Sequence, residues 1–311
     1  MFAGEIISLF VAVSWTTTAL FAEVASKRMG SLPLNTLRMT MSLILLSATL
    51  WLMMGTPWPR YADGSTWIWL ALSGVVGYVI GDYCLMQGYI YIGSRFGQLF
   101  MTLSAPTAAV TGFLLLGERM RPLAILGMLI TLSGITLSIL SKNGNTVKMD
   151  LPKKGIFFAA VAGICQGLGL VLSKIGLEHY HAAINSVPTS RHVDIYIPFA
   201  ATFIRASVGL IGFFLLLKVF NHDWKEKLRH AATDRKAMWC LLGATVFGPF
   251  IGVSASLLAT MYTSTGIAQT LFALTPVLII APSAVFFHEK VTLREVLGAL
   301  LSVAGVSLFF I

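Results

Sequence analysis

The chain is 311 residues long, 56% hydrophobic and only 11% charged, where a soluble domain carries about 25% charged residues. So few polar groups cannot cover so much apolar surface, which excludes a water-soluble domain and fits a chain dissolved in lipid. Its 22 Lys and Arg against 13 Asp and Glu leave a net charge of +9; the bases fall between apolar runs, the mark of membrane topology rather than of a nucleic-acid surface.

A bilayer core of about 30 Å needs about 20 apolar residues in a helix. Backbone groups inside it must bond one another, which leaves helices or closed barrels. The apolar runs are continuous rather than alternating, so helices are expected. In chain order the spans fall near 4–26, 33–54, 66–92, 96–117, 122–140, 155–177, 196–219, 236–262, 266–287 and 293–311. Glu5 is the only charge at the N-terminus and no basic segment precedes the first run, which is therefore expected to stay as a span rather than be cleaved. The breaks carry turn chemistry or charge, as in Lys27-Arg28-Met29-Gly30, Gly117-Glu118-Arg119 and His288-Glu289-Lys290. The stretch 141–154 is the most polar connector in the middle of the chain and divides five spans, 1–140, from five more, 155–311. Two long connectors, 178–195 and 220–235, hold histidines and charges and read as solvated loops. Cys84, Cys165 and Cys240 lie in or at the edge of apolar runs without metal-type spacing and read as small apolar fillers.

The two halves repeat. A shift of 171 residues superposes Val75 on Val246, Gly77 on Gly248, Gly81 on Gly252, Gln98 on Gln269, Glu118 on Glu289, Gly127 on Gly298 and Gly134 on Gly305. Pro106 and Pro276 fall one residue out of register, and further upstream Arg38 meets Arg205. Five spans is an odd number, so the second copy enters the membrane from the opposite side. The expected fold is thus all-α and integral to the membrane, ten spans in two inverted five-helix repeats. That architecture is frequent among secondary transporters, with the substrate site near the midplane at the repeat interface.

Several residues stand out within the spans. Asp82 is the deepest acid; a charge there is expensive and faces the bundle interior or a water-filled cavity. Tyr78, Asp82, Leu85 and Tyr89 share one helical face by spacing. Asp82 is either a carboxylate in a cavity wall or a structural partner for Arg38 or Arg95. Gln98, Gln269 and Gln166 place amides at lipid depth, where they bond a neighbouring helix or a substrate. Glu23 and Lys174 meet at a shift of 151, which raises an ion pair between the repeats. The glycines Gly127, Gly134, Gly298 and Gly305 suit close helix approach, either of spans 5 and 10 with each other or of two chains as a homodimer. Pro106 and Pro276 are expected to kink spans 4 and 9, and Gly248-Pro249 to break span 8.

The chain resembles the drug/metabolite transporter superfamily in its ten-helix form, two EamA domains. The likeness rests on Ser104-Ala105-Pro106, then Leu115-Leu116-Gly117-Glu118-Arg119, Gly127 and Gly134. Its second copy is Leu274-Thr275-Pro276, then Phe287-His288-Glu289-Lys290, Gly298 and Gly305, with an Arg early in the second helix of each half. The resemblance implies a multi-pass metabolite carrier of the bacterial inner (plasma) membrane, often an exporter, with spans 1, 3, 4, 6, 8 and 9 around the cavity. It adds Trp15 and Thr18 of span 1 to the cavity candidates. It puts Arg38 and Arg205, on spans 2 and 7, outside the cavity as interface anchors. Glu118 and Glu289, beside Arg119 and Lys290, read as end caps and hinge contacts.

No catalytic constellation, cofactor motif or nucleic-acid motif appears, and no metal site is expected; His179-Tyr180-His181 falls in a connector. The leading reading is a secondary carrier exporting a small metabolite by alternating access, with proton exchange through Asp82 as its coupling. The rivals are a passive channel, a non-transporting scaffold and a membrane enzyme. Tyr78, Tyr83 and Tyr89 around Asp82 favour a substrate with an apolar or cationic part, and the lack of a basic cluster at the midplane argues against nucleotide sugars. Connectors after odd spans hold 15 Lys and Arg against 4 on the other side, which puts both termini outside; many relatives run the other way.

Overall fold

In a computed structural model of the chain, residues 2–140, 152–185, 193–280, 282 and 293–310 are described. Every regular element among them is helical. Seven helical stretches are long and apolar enough to cross a membrane: Ala3–Met29, Ser31–Met54, Gly64–Ser94, Phe96–Leu116, Lys153–Ile184, Ile195–Phe220 and Arg235–Tyr262. Shorter apolar helices cover Pro122–Leu137, Thr265–Leu278 and Val296–Phe310. These match the ten runs read from the sequence.

The first half holds α1 (Ala3–Met29), α2 (Ser31–Met54), α3 (Gly64–Gly74), α4 (Tyr83–Met101), α5 (Ser104–Leu116) and α6 (Pro122–Leu140). The second holds α7 (Lys153–Asn185), α8 (Val193–Phe220), α9 (Trp224–Thr233), α10 (Arg235–Thr245), α11 (Ile251–Tyr262), α12 (Thr265–Phe272), α13 (Thr275–Leu278) and α14 (Leu293–Ser307).

The repeat is visible in the irregularities. Span 3 carries a π-helical stretch at Val75–Asp82, and span 8 carries one at Val246–Phe250, starting at the repeat-related residue. The widened turn in span 8 accommodates Pro249, which has no backbone donor, and Gly248 at ψ −105°. Span 4 breaks after Met101 and resumes at Ser104; span 9 breaks after Phe272 and resumes at Thr275. Pro106 and Pro276 lie in the first turn of the resumed helices, where a missing N–H costs least. They mark breaks rather than bends inside continuous helices.

Packing repeats as well. Span 1 lies along span 8 as span 6 lies along span 3; span 2 faces span 7; span 5 faces span 10. The last pair meets through the four glycines. A Cβ on Gly134 would sit 2.5 Å from the Ser302 backbone nitrogen, and one on Gly127 2.8 Å from the Gly305 carbonyl oxygen. The hydroxyl of Ser302 donates to the Thr131 carbonyl at 3.3 Å, and that of Thr131 to the Ser302 carbonyl at 3.4 Å. This seam lies inside one chain, so a homodimer through spans 5 and 10 would have to use their other faces.

Two connectors differ from expectation. Helix α7 runs on to Asn185, so 178–185 is helix rather than loop. Tyr180 and Tyr196 are fully buried there, with the Tyr180 hydroxyl donating to the Arg60 carbonyl at 2.6 Å. In 220–235 the chain forms α9, which carries Trp224, Lys225, Lys227 and Arg229 and packs on α2 and α10. Arg28 Nε donates to Asp234 Oδ2 at 2.7 Å, joining the end of α1 to the start of α10. That hydrogen bond holds the Asp234 carboxyl below its usual range.

Candidate functional site

Where the two repeats meet, side chains of both line a cavity of about 70 Å³. Trp15 and Thr18 reach it from α1, and Tyr78 and Asp82 from the π-helical stretch of span 3. Tyr89 and Gln98 come from α4, Gln166 from α7 and Gln269 from α12. All eight cavity candidates from the sequence therefore border one space. The π-helical turns of both halves lie against it, through Tyr78 and Asp82 in one and Gly248 and Pro249 in the other.

The polar groups are largely paired with each other. Gln98 Nε2 donates to the Tyr89 hydroxyl at 2.5 Å. Gln269 Oε1 accepts from Ser104 Oγ at 3.1 Å, and Gln269 Nε2 donates to the Gln166 carbonyl at 3.3 Å. Gln166 Nε2 donates to Asp82 Oδ1 at 2.8 Å, while Asp82 Oδ2 accepts from the Arg38 guanidinium. Both carboxylate oxygens are thus engaged. Trp15 stacks at a tilt on Phe272, ring centroids 4.9 Å apart, which fixes one apolar wall.

Arg38 and Arg205 correct the sequence reading. Neither is an interface anchor outside the cavity; both border it, at 3% and 4% exposure. Arg38 is held by Asp82, one of the two partners the sequence leaves open for that acid; the side chain of Arg95 lies outside the described residues. Arg205 packs its guanidinium over the Tyr78 ring, 4.9 Å from the centroid. The close approach needs a glycine: a Cβ on Gly77 would stand 3.0 Å from an Arg205 terminal nitrogen. Basic residues therefore do gather at the cavity, two against one acid.

The proposed ion pair of Glu23 with Lys174 is absent, because the two sit at opposite ends of the bundle. Glu23 Oε2 accepts from the Ser94 backbone N–H at 2.9 Å, and Glu23 Oε1 accepts from Lys27 at 2.5 Å. Lys174 donates to Glu118 Oε1 at 2.6 Å and to the Thr263 carbonyl at 3.2 Å. Glu118 Oε2 accepts from the Thr265 backbone N–H at 2.9 Å and from the Thr265 hydroxyl at 2.5 Å. Ser94 and Thr265 are repeat-related, so a glutamate caps the start of span 4 at one end of the bundle and the start of span 9 at the other. The sequence has Glu118 capping the end of its own span 4 beside Arg119; instead it accepts from the start of span 9, and its base is Lys174. Glu289 lies outside the described residues.

Two five-span repeats that pack pseudo-symmetrically around a central cavity lined by both polar and apolar side chains have the architecture of a multi-pass membrane transporter. The chain belongs to the EamA-like transporter family, which matches it twice, over residues 2–140 and 153–311. Membership places it among transporters of the drug/metabolite type. No curated protein sequence matches it. Among 28 matching chains of solved structure, one crystal structure is 17% identical and superposes with a TM-score of 0.68, covering 99% of this chain and 95% of its own. That likeness supports the fold alone.

Proposed function

We propose that the chain is a secondary carrier that moves a small metabolite outward by alternating access, with the central cavity as its substrate site. The observation that carries this reading is the cavity between the repeats, faced by polar side chains from both halves and flanked at each end by a glutamate-capped helix start. Inverted-repeat carriers bind their substrate at that place. A cavity of about 70 Å³ has room for only a few waters. A metabolite larger than that needs the cavity to widen, which supports a carrier cycle over a standing channel. Proton coupling through Asp82 would require its contacts with Arg38 and Gln166 to part during the cycle.

The test has two stages. Purified protein is screened by thermal shift against amino acids, polyamines, nucleosides, organic acids and cationic drugs. Compounds that stabilise it are then used in counterflow across liposomes containing the protein, with and without a pH gradient. Saturable counterflow is the expected result, and acceleration by the gradient would support proton exchange. Flux that rises linearly with concentration would replace the carrier with a channel. Stabilising compounds that show no flux at all would favour the scaffold.

A further inference from the structure

Charges at lipid depth normally come with partners, because an unpaired one is costly. At the cavity Arg38 has Asp82, whose two oxygens are used by Arg38 and Gln166. Arg205 has no carboxylate and no hydrogen-bond acceptor among the described residues; its contact is the face of Tyr78. Its Nε is buried without a partner, and so is the Tyr78 hydroxyl beside it. The site therefore carries one positive charge more than its walls neutralise.

The repeat identifies what is missing. Arg38 and Arg205 correspond, and the register that matches Gly81 with Gly252 puts Val253 where the first half has Asp82. Val253 borders the same cavity. The second half thus keeps the arginine and replaces its acid with an apolar side chain.

We infer that the cavity takes a small organic monoanion, a carboxylate with an apolar body, whose carboxylate binds Arg205 in the place that Asp82 fills for Arg38. A guanidinium presents a planar fork that matches a carboxylate with two parallel hydrogen bonds. One uncompensated charge selects a monoanion over a phosphate ester, which would leave the site negative. Trp15, Leu85, Met101, Leu170 and Val253 supply apolar wall for the remainder of the molecule. This inference rests on the carrier reading of the cavity and replaces the cationic preference drawn from the tyrosines.

Matched probes test it. Thermal shift of the purified full chain is measured in Tris-chloride at constant ionic strength with 3-methylbutanoate and 3-phenylpropionate. The uncharged amides and the corresponding amines of the same skeletons serve as controls. The carboxylates should stabilise saturably and the controls should not. Arg205→Gln should weaken the apparent affinity about ten- to a hundredfold, the range expected for hydrogen bonds to a charged group. Arg205→Gln removes an unpaired buried charge, so the ligand-free variant should be at least as stable as the parent. Val253→Asp should abolish the response by supplying an internal acid, whereas the uncharged Val253→Asn, which loses only apolar wall, should weaken it far less. Equal stabilisation by amides or amines would overturn the anion assignment while leaving the carrier to be judged by counterflow. So would a carboxylate response that survives Arg205→Gln, one no larger than chloride alone produces, or none in the parent protein.

Discussion

Asp82 is tied on one oxygen to Arg38 and on the other to Gln166, and only 6% of its surface is exposed. Removing one member of such a pair strands the other charge, at a cost of about 3–5 kcal/mol, whereas replacing both with apolar side chains is often neutral. Arg38→Met and Asp82→Leu alone should therefore each lower thermal stability strongly, and the double variant should recover most of the loss. Additive losses in the double variant would show that the two residues do not stabilise the fold as a pair. Asp82 was legible in the sequence because a lone acid inside an apolar run has few roles, and spacing alone put Tyr78 and Tyr89 on its face. Arg205 was not, since distance from a helix start says how far a side chain must reach to the interface but not which neighbours it meets. Only the packing of Gly77 against α8 reveals that it faces inward.

Four of the spans that contact the cavity are interrupted. Spans 3, 4, 8 and 9 each carry a π-helical turn or a break, and spans 4 and 9 start on glutamate caps at opposite ends. The Glu118–Lys174 pair is partly exposed, 13% and 18%, so its share of stability is about 1 kcal/mol or less. Its larger effect should be on opening. In a background with Cys84, Cys165 and Cys240 replaced by Ala, a cysteine introduced as Thr263→Cys should react with a bulky maleimide up to about fivefold faster when Glu118→Gln is added, since about 1 kcal/mol is fivefold in an equilibrium. Unchanged labelling would mean that this contact does not hold the end shut. The proline-marked breaks could be read from the sequence, because proline allows few alternatives. The π-helical turn at Val75–Asp82 could not, as it contains no proline and its glycines occur throughout the chain. Helix α9 was missed for another reason: a search for apolar runs about 20 residues long passes over a ten-residue amphipathic helix. The extension of α7 was masked by polar Glu178, His179 and His181 around the buried Tyr180.

For the molecule as a whole, the two ends of the bundle differ in charge, which predicts which cap faces the cytoplasm. The end that holds Lys27, Arg28 and the Glu23 cap also holds α9, whose Trp224 ring lies 5.9 Å from Lys218 at the end of α8 and 5.5 Å from Lys225 of α9 itself. A short basic helix with an aromatic anchor suits the plane of an anionic leaflet, whose negative surface attracts each nearby base by about 1 kcal/mol. Connector counting and α9 thus point the same way, to a cytoplasmic Glu23 end and outside termini, against the orientation of many relatives. A fluorescent protein that matures only in the cytoplasm should stay dark when fused after Ile311 and shine when inserted in the polar connector at 141–154. A bright fusion after Ile311 would reverse the assignment. It would also exchange the two caps, because the residue pairs and the cavity are indifferent to orientation. Under the charge-based orientation, an exporter loads past Glu23 and Lys27 and releases past Glu118 and Lys174. An organic anion would then approach through the basic end and leave where fixed positive charge is sparser.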